Sequence, residues 1–163
     1  MILGMSASTF TTVHVIISLI AIVSGFIAVI GMLQSRRMAT WTAIFLWMTV
    51  LTSVTGFMFP NTTVTPGIIV GIISMVLLAI AFFALYAKHL DVAWRWVYVW
   101  TAIAALWFNV FVLIAQSFQK IPSLKALAPT QSEPPFQIAQ GAALMLIVVL
   151  AILAVRHFHP RAA

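Results

Sequence analysis

The chain has 163 residues, 64% hydrophobic and 6% charged, with no cysteine, a formal charge of +6 and a mean hydropathy of +1.17. Soluble domains carry about 25% charged residues, and a chain this short buries too small a share of its surface to hide so much apolar area from water. Disordered, collagen-like, disulfide-stapled and zinc-finger readings fail on the same composition, which leaves an all-α polytopic membrane protein.

A helix needs about 20 mostly apolar residues to cross the hydrocarbon core. Five such runs follow one another: 10–33, 40–59, 67–87, 93–118 and 136–155. Residues 1–33 lack the basic start of a cleaved signal peptide, and their apolar run is too long for one, so the first run is read as a retained span. Gln34-Ser35-Arg36-Arg37 separates the first two runs, Pro60 to Pro66 the next two, and Lys88-His89-Leu90-Asp91 makes a short turn before the fourth. The only long break, 117–135, contains Pro122, Pro129, Pro134 and Pro135. Short connections predict one antiparallel five-helix bundle in a single transmembrane domain.

An odd number of spans puts the termini on opposite sides. Arg36, Arg37, Lys88, Arg95, Arg156 and Arg161 fall on one side, against Lys120 and Lys125 on the other. The positive-inside rule then predicts the N-terminus outside and the C-terminus in the cytoplasm, with Trp41, Tyr86, Trp94, Trp96 and Tyr98 as an aromatic belt at the cytoplasmic boundary. That rule also explains most of the positive charge, and no basic stretch is long enough to form a nucleic-acid-binding domain. The His157-x-His159 pair is expected in a solvated tail, and Asn61-Thr62-Thr63 is read as a chance match to a glycosylation acceptor.

Apart from Arg95, at the cytoplasmic end of the fourth run, no Lys, Arg, Asp or Glu lies inside a run, which counts against ion-coupled transport. The one ionisable residue that enters the membrane is His14. Thr11, His14, Ser18, Ala21 and Gly25 follow the spacing of one helical face. Thr49, Thr52, Ser53 and Gly56 form a similar stripe on the second span, Thr101, Ala105, Asn109 and Gln116 on the fourth, and Gln137, Gln140 and Gly141 on the fifth. Most of these groups share the outer leaflet, roughly 3 to 14 Å below the surface by helical rise. Such stripes let helices approach and bond to one another, and Gly67-xxx-Gly71 with Ser74 is read only in that way. An intramembrane histidine, however, is by default a functional-site hypothesis. His14, Ser18, Thr52, Asn109, Gln116 and Gln140 therefore define a candidate outward-facing pocket, with the 117–135 loop as its lid.

A quinone or another flat amphiphile needs only head-group donors and an apolar slot. A b-type haem or a copper ion would need a second ligand beside His14, for which Met58, Met1 or Met5 would serve. His89, His157 and His159 belong to the opposite face. Lys120, Lys125 and Glu133 mark the loop as a candidate docking site for another membrane-complex subunit or a second copy of the chain. No nucleophile–base pair, phosphate-cradling loop or metalloprotease motif is present, so no catalytic residue is assigned.

The segment from Phe108-Asn109-Val110-Phe111-Val112 through Gln116-Ser117-Phe118-Gln119-Lys120-Ile121-Pro122 to Leu127-Ala128-Pro129-Thr130-Gln131-Ser132-Glu133-Pro134-Pro135-Phe136 carries a resemblance. So do Thr52-Ser53-Val54-Thr55-Gly56-Phe57 with Pro60, and Trp94-Arg95-Trp96-Val97-Tyr98. Together they resemble a group of small five-helix bacterial inner-membrane proteins with no assigned activity. The resemblance implies a bacterial inner membrane and brings no functional residue with it. The expected function is a non-enzymatic binding or accessory component. The alternatives are a redox protein that holds haem or quinone through His14, or a small-solute channel or exporter, although internal repeats and broken helices are missing.

Overall fold

The computed structural model describes residues 2–60 and 63–160. Met1, the Asn61-Thr62 pair of the glycosylation match and Arg161 lie outside the described residues. Among the described residues six α-helices follow in order: α1 (Ala7–Leu33), α2 (Ala39–Phe57), α3 (Pro66–Phe82), α4 (Val92–Lys120), α5 (Pro122–Leu127) and α6 (Pro134–His157). A single π-helical stretch, Phe83–Ala87, continues α3 without a break. All but α5 are long and apolar enough to cross a membrane.

The helix ends differ from the apolar runs because caps and prolines decide where a helix starts. Ser6 caps α1 by accepting the Thr9 N–H at 3.1 Å, so the helix begins three residues before the apolar run. Thr65 caps α3 in the same way, accepting from the Ile68 N–H at 3.4 Å, with Pro66 in the first turn, where its missing N–H costs nothing. Pro122 and Pro134 start α5 and α6 on the same principle. α4 continues to Lys120, so the expected outer loop loses residues 117–120 to that helix and 122–127 to α5.

α1, α2, α3 and α4 form a ring in which each packs on the next and α4 closes against α1. α6 lies outside the ring, on α4 and α1, and α4 touches every other helix. The dense core fills only one half of the bundle. Val29, Phe45, Leu46, Leu78, Ile103 and Leu106 meet Tyr98 there, and Ile147 and Ala151 of α6 join them from outside. The apolar outer faces, with Val23, Trp47, Val76, Trp100 and Met145 among them, have no protein to cover them, which suits a lipid environment.

The C-terminal segment is docked rather than solvated. Phe158 is 2% exposed, its ring 6.1 Å from that of Tyr98, and the His159 N–H donates to Ser35 Oγ at 2.9 Å. Tyr98 thereby leaves the expected aromatic belt for the core, while Trp41, Tyr86 and Trp96 stay exposed. Lys88 lies over the rings of Phe83 and Trp94, 5.6 and 5.7 Å from their centroids.

Candidate functional site

The half of the ring opposite the core is hollow. Its cavity of about 660 Å³ is walled by all four ring helices where α1 and α3 begin and α2 and α4 end. The lining runs from Ala7 to Ile22 on α1 and from Phe108 to Ile121 on α4, a depth of about 20 Å at 1.5 Å per residue. Below it the helices close up. A Cβ added to Gly25 would lie 2.7 Å from Leu106 Cδ1 and 2.9 Å from Phe45 Cδ2, so glycine alone allows α1 to approach α2 and α4 this closely. The same level holds the link between Asn109 Nδ2 and Thr49 Oγ1, at 3.0 Å. The cavity is a cup with a packed floor.

Its polar groups are spaced along apolar walls. His14 Nδ1 lies 2.7 Å from Thr55 Oγ1, and the ring stands edge-on to Phe59 with centroids 5.3 Å apart. The Thr55 hydroxyl reaches the Leu51 carbonyl, also at 2.7 Å. A hydroxyl has one hydrogen; when Thr55 gives it to Leu51, His14 must donate from Nδ1, and Nε2 keeps its lone pair. Ser18 donates to the His14 carbonyl at 2.8 Å and Thr52 to that of Met48 at 2.9 Å, which satisfies each hydroxyl within its own helix.

Five of the six pocket residues expected from the sequence line this one cup: His14, Ser18, Thr52, Asn109 and Gln116. Gln140 does not. It sits on α6, outside the ring, where its Nε2 donates to the Phe111 carbonyl at 3.1 Å and its Oε1 is buried without a partner. Thr55 was not among the expected pocket residues, although its spacing of three from Thr52 puts it on the same side of α2. Ser74, Gly67 and Gly71 of α3 also line the cup, beyond the packing role read for them. Packing is real at Gly71, where a Cβ would meet the Phe57 ring at 2.6 Å.

The 117–135 segment is not a lid. Only Ser117, Lys120 and Ile121, at the end of α4, line the cup. The rest is strapped back onto α4: Gln131 Nε2 donates to the Ala115 carbonyl at 2.6 Å, and Gln119 Nε2 to Gln131 Oε1 at 3.2 Å. Lys125 lies on α5 and Glu133 at the N-cap of α6, both away from the cavity. Partial desolvation raises the Glu133 carboxyl. The Thr130 hydroxyl, its N–H, the residue's own N–H and that of Ser132 outweigh this and hold it below the usual carboxylate value.

Among the described residues no methionine joins His14 in the lining of the cup. Met58 is the C-cap of α2 and does not line the cup, nor does Met5, and His14 is the sole imidazole among the described lining residues. No group of three His, Cys, Asp or Glu side chains comes together among the described residues. No protein-family model matches the chain, and neither the curated proteins nor the solved structures yielded a similar one.

Proposed function

We propose that the chain is a multi-pass protein of a bacterial inner membrane, with its N-terminus outside and its C-terminus in the cytoplasm. Its cup opens outward and binds an amphiphilic small molecule, as a non-enzymatic binding or accessory component of that membrane. The observation that carries the binding reading is the convergence of His14, Ser18, Thr52, Asn109 and Gln116, from three helices, on one apolar cup. Sites for small molecules have this character: mostly apolar walls, a few placed polar groups and a volume of about 300–1,000 Å³. The packed layer at Gly25 favours binding over conduction, because one chain offers no continuous path past it. The orientation rests on the bias of basic residues, and the bacterial membrane on the resemblance of the loop and its flanks.

A quinone is the second reading, favoured by the Nε2 of His14, which has no partner among the described residues, in a deep apolar slot. Haem is less well supported, because the described residues lining the cup include no second axial ligand.

Purification in mild detergent, followed by organic extraction and mass spectrometry, tests the binding reading. One amphiphile should co-purify at near one per chain and be lost from the His14→Ala variant. Recovery of bulk lipid alone, unchanged in the variant, overturns it. An absorption spectrum before and after dithionite shows haem if a Soret band with α and β bands appears. A reporter active only in the periplasm, fused to the C-terminus, should stay silent; activity reverses the orientation.

A further inference from the structure

The hydrogen atoms of the cup are largely spent within the protein, and its lone pairs are not. The side-chain hydroxyls of Thr11, Ser18 and Thr52 each donate to a carbonyl four residues back in the same helix, at 2.8 to 2.9 Å. Asn109 turns its amide nitrogen onto Thr49, whose own hydrogen goes to the Phe45 carbonyl at 2.8 Å. The Asn109 carbonyl oxygen and its second N–H are left for the cavity. With the Thr55 hydrogen given to the Leu51 carbonyl, His14 directs Nδ1–H at Thr55, and its Nε2 has no partner among the described residues. Ser53 and Ser74 keep both roles, while the strong free donors, Gln116 and Lys120, stand at the exposed end of α4. The wall is rich in free acceptors and keeps a few donors, at Ser53, Ser74 and the second Asn109 N–H; the strongest donors stand at the rim.

Resting on the binding reading above, we propose that the cup selects an amphiphile with a neutral, hydroxyl-bearing head, such as an alcohol, a phenol or a hydroquinone, over the matching ether or carboxylate. His14 Nε2 accepts the hydroxyl hydrogen, the Asn109 carbonyl accepts a second where the head has one, and the tail lies along the apolar wall. A head with only lone pairs brings no hydrogen to His14 Nε2 or to the Asn109 carbonyl, and those acceptors stay desolvated and unpaired. Lys120 does not decide the head group, because it stands at the rim, eleven residues beyond Asn109 on α4.

The test uses the full chain in phosphatidylcholine nanodiscs and three probes of equal tail length: dodecanol, dodecyl methyl ether and dodecanoate. Dodecanol is expected to bind about tenfold tighter than the ether, the worth of one or two hydrogen bonds. That gap should close in His14→Phe. It should also shrink in Thr55→Val, which leaves the imidazole in place but removes the group that fixes its tautomer. Nitrogen NMR of labelled histidine reads the same point in the unmodified protein, where His14 should be the Nδ1–H tautomer. Equal binding of alcohol and ether, or an Nε2–H tautomer, overturns the hydroxyl preference and leaves the binding reading standing. Tightest binding of dodecanoate overturns it in favour of an anion held by Lys120. Failure of all three probes to bind overturns both.

Discussion

Asn109 and Thr49 join α4 to α2 across the ring, with Asn109 Nδ2 donating to Thr49 Oγ1 at 3.0 Å. Thr49 is wholly buried, and its hydroxyl hydrogen goes on to the Phe45 carbonyl. The pair ties the dense half of the bundle to the cup above it. Interhelical hydrogen bonds of this kind contribute about 0.6 kcal/mol in a membrane and at most about 1.7. Thr49→Val and Asn109→Leu should each lower stability by about 1 kcal/mol, and the double variant by clearly less than the sum. A double-mutant cycle from unfolding in mixed micelles measures the coupling. Strict additivity would mean that the two side chains do not share a bond in the folded protein.

Gly25 defines how closed the floor is. An added methyl would press on Leu106 and Phe45, and overpacking of this kind costs about 1–3 kcal/mol. Gly25→Ala should therefore destabilise the bundle by about that much, and adding Leu106→Val should recover part of the loss. Unfolding midpoints of the two variants give the comparison. An unchanged midpoint for Gly25→Ala would reveal slack between α1, α2 and α4, and with it a floor that could open.

Five membrane-length helices were legible because 20-residue apolar runs leave little choice of structure. Depth was legible too. His14, Ser18, Thr52, Asn109 and Gln116 fall at one end of an antiparallel bundle whatever the order of packing. Direction around the axis was not. Gln140 has the right depth, but α6 stands outside the ring, and nothing in a run of apolar residues says which helix is left out. Met58, the C-cap of α2, has a suitable depth as well and does not line the cup either. The strap across the loop depends on Gln131 reaching Ala115, sixteen residues back, a pairing with no local signature.

Glu133 makes the loop sensitive to acid. Its carboxylate takes the Thr130 N–H at 3.1 Å, the Thr130 hydroxyl at 2.8 Å and the Ser132 N–H at 3.1 Å. These bonds hold the folded carboxyl below its ordinary value, so the unfolded loop binds its proton first as pH falls. The stabilisation is thus fully present above the ordinary carboxylate value and is lost as pH drops through the lower, folded one. Amide shifts of Thr130 and Ser132 should titrate together with a midpoint below that of a free glutamate, and Glu133→Gln should abolish the transition. A midpoint at or above the free value would contradict the bonding described.

The docked C-terminal segment closes the cytoplasmic side on the orientation proposed, and its strength rests on Phe158 rather than on the basic residues around it. The ring is buried beside Tyr98, whereas His159 offers only a backbone N–H to Ser35 at 2.9 Å. A buried phenylalanine cut to alanine leaves a cavity and costs about 3–5 kcal/mol in a tight core; one hydrogen bond contributes about 1 kcal/mol. Phe158→Ala should therefore lower the unfolding midpoint well beyond Ser35→Ala. It should also speed trypsin cleavage after Arg156, whose backbone the last turn of α6 holds in helix in the intact protein. If Ser35→Ala were the more damaging change, the turn between α1 and α2 would depend on the hydrogen bond. The ring would then be only a passenger on a segment held by its backbone.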